Sequence, residues 1–385
     1  MHLRDIYLQA LAACDPALLV RNALIGDEPR NVVAIGKCAG ALMDGVATSM
    51  LVKNALVIVP EGYAPSTSFE TIRGGHPHIT SASFEAGRRV LRFVREHDDI
   101  LFLISGGGSA CAEVPLPPFD EDDVMRTNAR LVRSALPIAD INCVRKHLSA
   151  IKGGRLGAAV RGRSVTCIYS DVSDGALADV ASGPTLPDVT SNEDAARILE
   201  RLGDCDRIVT LLRHPSTPDS AKRTNTAARL VADNNTLTAA AASIAARDGW
   251  VVVRWQGQIE SDVDEAAHDL AERVSTLEKG ELLVAGGEPT VVVSGSGKGG
   301  RCSELALRFA LHCEVKAEVL FASSDGVDGN SGAAGVELKL PLQSDEIREA
   351  LARSDSFPLA ARLGGAIMIP PTGNNLRDLF LLART

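Results

Sequence analysis

The sequence predicts an α/β protein of two domains, each a mostly parallel sheet flanked by helices. Three observations predict it. Short β-branched runs alternate with longer helical patterns almost throughout the chain, the signature of strands joined by helical crossovers. The clearest of these runs are short and stop near Gly, Ser or Asp, as strands entering turns do. At 385 residues and 45% hydrophobic content, the chain exceeds one ordinary core and suffices for two.

Taken in order, the first 24 residues place Asp5 and Asp15 around a short apolar stretch and read as an amphipathic helix, without the basic start and apolar centre of a cleavable signal. Strands are expected at Asn31–Ile35, Ala55–Val59, Ile100–Ile104, Val165–Tyr169, Trp250–Arg254, Thr290–Val293 and Val319–Ala322. Helices are expected at Ser83–Glu96, Glu121–Ala135, Glu193–Leu202, Thr236–Arg247 and Val263–Thr276, several opened by a Ser, Thr or Asp able to cap. Asp204–Arg223, with two prolines and few periodic apolar positions, reads as a connecting excursion. A boundary near Leu277–Gly286 gives a Rossmann-like N-terminal domain, 1–277, and a C-terminal α/β domain, 278–385, where strand, Gly-rich turn and helix begin again.

Composition narrows the function. A net charge of −9 opposes nucleic-acid binding while leaving room for a basic pocket around a small anion, and 4% aromatics leave little for base stacking. Gly, Pro or charge interrupts every apolar segment before the run of about 18 residues that a membrane span needs. The eight cysteines are scattered, with no C-x-x-C pair and no ligand-like spacing to histidine, so reduced cytosolic thiols and a cytoplasmic location are expected, without structural zinc. A homodimer is compatible with all of this.

Three times an apolar run enters a glycine-rich turn: at Ile35-Gly36-Lys37, at Ile104-Ser105-Gly106-Gly107-Gly108-Ser109, and at Val293-Ser294-Gly295-Ser296-Gly297-Lys298-Gly299-Gly300-Arg301. Such turns make tight corners. They also cradle anions, because glycine lets backbone amides approach closely and a following helix start adds partial positive charge. Lys37, Lys298 and Arg301 would supply full charges there. Gly295 to Gly300 formally fits G-x-G-x-x-G after a strand, which raises an NAD(P)H-dependent reductase as a rival reading. No G-x-x-x-x-G-K-[ST] occurs, so an ordinary P-loop enzyme is excluded.

Carboxylates follow two strands, as Asp171 with Asp174, and as Asp325 with Asp328. Hard oxygen ligands at strand ends suit magnesium carried with a nucleotide, and the same residues suit Asx turns or helix caps. Asn142 to Arg155 is dense in cations, with Arg145, Lys146 and His147 in succession; the three cannot share one helix face, so part of the cluster reads as solvated surface and His147 by itself as a structural histidine. Gly74-Gly75-His76-Pro77 reads as a turn and, in this company, as a substrate-loop candidate.

Together the motifs resemble the class II glycerate 2-kinase family, whose C-terminal part is the module called MOFRL. The resemblance runs through Ile35-Gly36-Lys37, Gly74 to Pro77, Leu103 to Ala110, Asn142 to Gly154 and Ala181-Ser182-Gly183-Pro184-Thr185. It continues through Gly286 to Thr290, Gly299-Gly300-Arg301, Asp325 to Gly329 and Pro371 to Asn375. It implies phosphoryl transfer from ATP to the 2-hydroxyl of D-glycerate or a related small hydroxy acid, with Mg2+, in a cleft between two α/β domains. The family's catalytic lysine and arginine map onto Lys37 and Arg301. Asp171 and Asp325 would hold magnesium, with Asp174, or accept the hydroxyl proton. The loops Gly106–Gly107–Gly108–Ser109 and Gly295–Gly297–Lys298–Gly299–Gly300 would bind the cofactor's phosphates. Ser105, His76, Arg145, Lys146 and His147 would contact the substrate. The chain departs from the family pattern at Ser173-Asp174-Gly175 and at Cys302-Ser303-Glu304, which also admits a non-catalytic sugar-acid or nucleotide binder.

Overall fold

The apolar run Asn31–Ile35 becomes β1, buried along nearly its whole length in the middle of a sheet. A computed structural model describes residues 2–385 except 64–66, 135, 173–175, 204 and 343–344. The described residues form two compact units, one of Pro16–Val231 and one of Met1–Asp15 with Ala232–Thr385.

The first unit is built on a six-stranded sheet ordered β3-β2-β1-β4-β5-β6. Its strands are β1, β2 (Asn54–Pro60), β3 (Glu70–Gly74), β4 (Ile100–Ser105), β5 (Ser164–Tyr169) and β6 (Thr226–Ala232). The pairs from β3 through β5 are all parallel, with Ile35 opposite both Ile58 and Ile104 and with Ser105 opposite Tyr169. β4 and β5 are buried at every position, as strands covered on both faces must be. The helix Ser81–Glu96 lays Ala86, Val90, Phe93 and Val94 against this sheet, and a further apolar cluster, which includes Phe84, joins the helices Glu121–Arg133, Ile138–Leu148, Asn192–Leu202 and Asp206–Leu212.

The second unit corrects the expectation of two mostly parallel sheets. Its strands β7 (Val251–Arg254), β8 (Glu281–Gly287), β9 (Ala317–Ser323), β10 (Gly335–Leu340), β11 (Ala366–Ile367) and β12 (Asp378–Arg384) lie in the order β11-β10-β9-β12-β8-β7. Only β7 and β8 pair in parallel; β12 runs antiparallel between β8 and β9, and β10 antiparallel to β9 and β11. Strand direction depends on how the chain returns to the sheet, which no local pattern records. Leu379 to Ala383 are 0% exposed, so this antiparallel strand carries the unbroken apolar run usual in parallel sheets. The compact units divide at residues 231–232, and β7, which precedes the boundary expected near 277–278, pairs with β8.

The expected strand Thr290–Val293 does not form. Thr290 makes one isolated bridge to Asp262, and Val292 and Val293 stand 80% and 72% exposed. A β-branched run without a neighbour to complete its ladder gains nothing from its propensity. The expected helices form within a few residues of their predicted ends, and the first 24 residues fold as two helices, Leu3–Ala13 and Pro16–Ala23, split where Pro16 ends the first pattern. Asp120, Ser191 and Asp233 cap as expected, each side chain accepting from the backbone N–H three residues on. The expected excursion at 204–223 contains the helix Asp206–Leu212. Among the described residues no helix is long and apolar enough to cross a membrane.

Candidate active site

In the first unit, parallel pairing of β1 with β4 brings two glycine turns side by side at the carboxyl edge of the sheet. Gly36 has φ +119, and a Cβ there would stand 2.4 Å from both the Ser105 carbonyl oxygen and the Ser105 Oγ, so only glycine fits. The Lys37 N–H donates to Gly106 O at 2.8 Å, and the Cys38 N–H to Ser105 Oγ at 3.1 Å. Ser105 therefore builds the turn, with its hydroxyl occupied as an acceptor. Gly107, at φ +79, opens the helix Gly108–Cys111; a Cβ there would meet Lys37 Cγ at 3.0 Å and His76 Nε2 at 3.5 Å. The Lys37 stem and the His76 ring thus lie over a patch of bare backbone. A glycine corner of this kind is the sort of backbone that receives a phosphate or carboxylate oxygen, and Lys37 is the cation nearest to it. The helix of four residues carries a much smaller dipole than the sequence reading assumed.

Electrostatics make this corner cationic. His76 is lowered to about 4, chiefly by burial and then by Lys37 and Arg145, so its ring is neutral at pH 7 despite reaching solvent. Arg145 donates through Nε to Asn128 Oδ1 at 2.9 Å, and burial lowers its pKa while nearby Glu113 opposes that. Glu113 pairs directly with Lys152, both about 1% exposed.

The remaining cations of the segment go elsewhere. Lys146 reaches Asp179 at 2.7 Å and Asp188 at 3.3 Å, and is buried where the sequence left room for solvated surface. His147 is 0% exposed, with Nδ1 2.8 Å from Asn192 Oδ1 and Nε2 3.1 Å from Thr190 Oγ1. Those are the contacts of a structural histidine. Asp171 is half-buried directly after β5, and Asp174 lies outside the described residues.

In the second unit Arg301 is the first residue of the helix Arg301–His312. Its guanidinium meets fully buried Asp378 at 3.2 Å and Glu288 at 2.9 Å, and Asp378 above all raises its pKa. Arg377 lies alongside, 2.8 Å from Gln258, 2.5 Å from Glu260 and 3.6 Å from Glu288. Two arginines are thereby set in a frame of carboxylates, with Arg301 still partly open to solvent.

The loop before Arg301 follows no strand, so the G-x-G-x-x-G match lacks the strand that gives a dinucleotide fingerprint its meaning. Its amides also have intramolecular acceptors: Gly295 donates to Ser354 Oγ, Gly297 to Arg353 O, Lys298 to Asp355 Oδ1, Gly299 to Asn330 Oδ1 and Gly300 to Ser303 Oγ. In the acidic loop, Asp325 Oδ1 accepts from Ser323 Oγ and the Val327 N–H, both at 2.9 Å, closing its own turn. Asp328 caps the helix, accepting from the Cys302 and Ser303 N–H groups at 2.9 and 3.0 Å. Among the described residues no three His, Cys, Asp or Glu side chains cluster as a ready-made metal cage. The hard oxygens of Asp171 and Asp325 suit an ion that brings its other ligands with it.

A family described as a domain of unknown function, DUF4147, matches residues 2–214, and the MOFRL family matches residues 281–378. The D-glycerate 2-kinase of Thermotoga maritima is 31% identical over 91% of this chain and 89% of its own. The chain belongs to the glycerate 2-kinase family with a MOFRL module. The crystal structure of a Thermotoga maritima glycerate kinase superposes with a TM-score of 0.85 at 28% identity, covering 99% of this chain and 98% of that one. A protein of Agrobacterium vitis, named only provisionally as a hydroxypyruvate reductase, is 31% identical over 98% of this chain and 92% of its own.

Within this glycerate 2-kinase fold, sequence reasoning placed Ser182 and Glu288 in motifs without giving them a role, and missed Arg377 and Asp378 as members of the polar clusters. Ala181, Ser182 and Gly183 run consecutively at φ 52, 59 and 57, and Gly153 and Gly154 hold the segment by donating to Ser182 O and Gly183 O. Two left-handed non-glycine residues in a row store strain that the surrounding structure must hold. Only Gly183-Pro184 hinted at this turn.

Proposed function

We propose that this protein transfers the ATP γ-phosphoryl group to the 2-hydroxyl of D-glycerate, or of a closely related small hydroxy acid, giving 2-phosphoglycerate from glycerate. One observation carries the reading: the bare turn at Gly36 and Gly107 roofed by Lys37, in a chain alike over nearly its whole length to a named glycerate kinase. Phosphoryl transfer asks a protein mainly to align two reactants and neutralise the moving charge. Lys37 would neutralise the transferring group or the substrate carboxylate, with Arg145 adding field and neutral His76 offering a hydrogen bond. Arg301, held in a fixed orientation by Asp378 and Glu288, would be the second cation. Magnesium, bound with the nucleotide, would supply charge neutralisation on the phosphates; it takes most ligands from phosphate and water and needs only one or two protein carboxylates, for which Asp171 in the first unit and Asp325 in the second are the candidates. Ser105 and Lys146 and His147 would act by shaping the site, since their polar atoms already have protein partners. A cytoplasmic location and a homodimer complete the proposal.

The test is incubation with ATP, magnesium and three- and four-carbon hydroxy acids, with the product identified by NMR. D-Glycerate should yield 2-phosphoglycerate; no acid-dependent ADP release from any acceptor would defeat the reading. Lys37→Ala should lose about 10³-fold or more in kcat with its melting temperature kept. Arg301→Lys, which keeps a charge near buried Asp378 but not the planar fork, should lose most turnover while staying folded. The reductase rival predicts oxidation of NADH or NADPH by hydroxypyruvate, and the loop at 295–300 gives it no support.

A further inference from the structure

Ser109 looks at first like one more phosphate donor of the glycine turn, but its hydrogen-bond chain argues otherwise. Ser109 Oγ lies 2.8 Å from Ser182 Oγ, and Ser182 Oγ donates to Asn142 Oδ1 at 2.9 Å. Asn142 in turn sends Nδ2 towards Asp179 O at 3.4 Å, and Asp179 is fixed by the Lys146 ammonium at 2.7 Å. Asn142 and Lys146 sit four residues apart on the helix Ile138–Leu148, so one helix face delivers both groups to Asp179.

This order fixes where each proton goes. A flipped Asn142 would turn its carbonyl oxygen onto the Asp179 carbonyl, setting two acceptors face to face. The amide therefore keeps Oδ1 towards Ser182. Ser182 is 0% exposed and has one hydrogen, which goes to Asn142, so towards Ser109 it can only accept. Ser109 must donate its own hydrogen inward to Ser182. Its outward face, which is partly exposed, then carries lone pairs alone.

We infer that Ser109 is a specificity-determining residue that accepts a hydrogen bond from the non-reacting hydroxyl of the acceptor acid, and does not donate to phosphate. The inference rests on the kinase reading and deepens it. A hydroxyl held as an acceptor repels an anionic oxygen and rewards an O–H group, so it selects acids with a second hydroxyl over their deoxy analogues. The left-handed turn at Ala181-Ser182-Gly183 places Ser182 for this relay.

Steady-state kinetics with D-glycerate and with D-lactate, which lacks the 3-hydroxyl, test it. Wild type should prefer glycerate by about 10- to 100-fold in kcat/KM. Ser109→Ala should remove that preference by lowering glycerate turnover alone, leaving lactate turnover and the KM for ATP within about twofold. Ser182→Ala, which keeps Ser109 but frees its proton to turn outward, should narrow the same ratio, with a lowered melting temperature because the buried Asn142 Oδ1 loses its donor. Equal losses on both acids, or a raised KM for ATP in Ser109→Ala, would overturn the inference while leaving the kinase reading standing. Wild type that phosphorylates neither acid, nor any other hydroxy acid, would overturn both.

Discussion

At Gly36 the absence of one methyl group decides the path of the chain. The Ser105 carbonyl occupies the place a Cβ would need, and φ +119 is strained for any L residue. Gly36→Ala should cost about 1–3 kcal/mol from backbone strain, with the clash adding to it, and should displace Lys37 from Gly107. Thermal unfolding with a parallel activity assay measures both; a variant of normal stability and turnover would show that the turn relaxes freely. The residue scale also shows how motif density misleads. Of the cations Arg145, Lys146 and His147, read together from sequence, Arg145 adds to the field on His76, while Lys146 and His147 find buried partners near Asp188. Nothing in their order reveals which face of the helix meets which loop. Asp325, legible as either ligand or Asx turn, does close a turn.

The helix Arg301–His312 shows what an element adds to its residues. Asp328 caps it with both carboxylate oxygens from a loop distant in sequence, and burial, with Asp378 adding, raises its pKa to about 6. A carboxyl raised from its ordinary 3.8 holds its proton more tightly in the folded chain, so it favours folding at low pH and that contribution is lost as pH rises through about 6. Asp328→Asn removes this titration. The stability difference between wild type and variant should therefore shift towards the variant between about pH 4 and pH 7 in urea denaturation series. A difference constant across that range would show Asp328 ionised in the folded state with no raised pKa. Helices such as Ser81–Glu96 were legible because period and cap lie within the element itself. β12 was not, because its apolar run gains strand identity only from β8 and β9, which flank it.

On the scale of the whole molecule, the helix Leu3–Ala13 folds into the unit made by residues 232–385. Leu3, Ile6, Tyr7, Ala10 and Leu11 are buried there, the Tyr7 hydroxyl donates to Ser323 O at 2.7 Å, and Asn374 Nδ2 donates to Leu11 O at 3.3 Å. Deleting residues 2–13 should strip apolar cover from that unit and raise amide exchange in β9 and β12 while sparing β1 to β5. Uniform protection in the deletion variant would show the helix to be dispensable.

The sequence by itself determined the α/β class, most helices, the central parallel strands and the glycine turns beneath Lys37, because each of these is set by periods, caps and backbone freedom within about ten residues. Only the tertiary structure decided that the second sheet is mostly antiparallel, that Thr290–Val293 has no strand to join, and that the Ser109 and Ser182 hydroxyls meet. Those outcomes depend on which distant segment arrives alongside, and a partner across the fold, not a neighbour in the chain, supplies the hydrogen bonds that settle them.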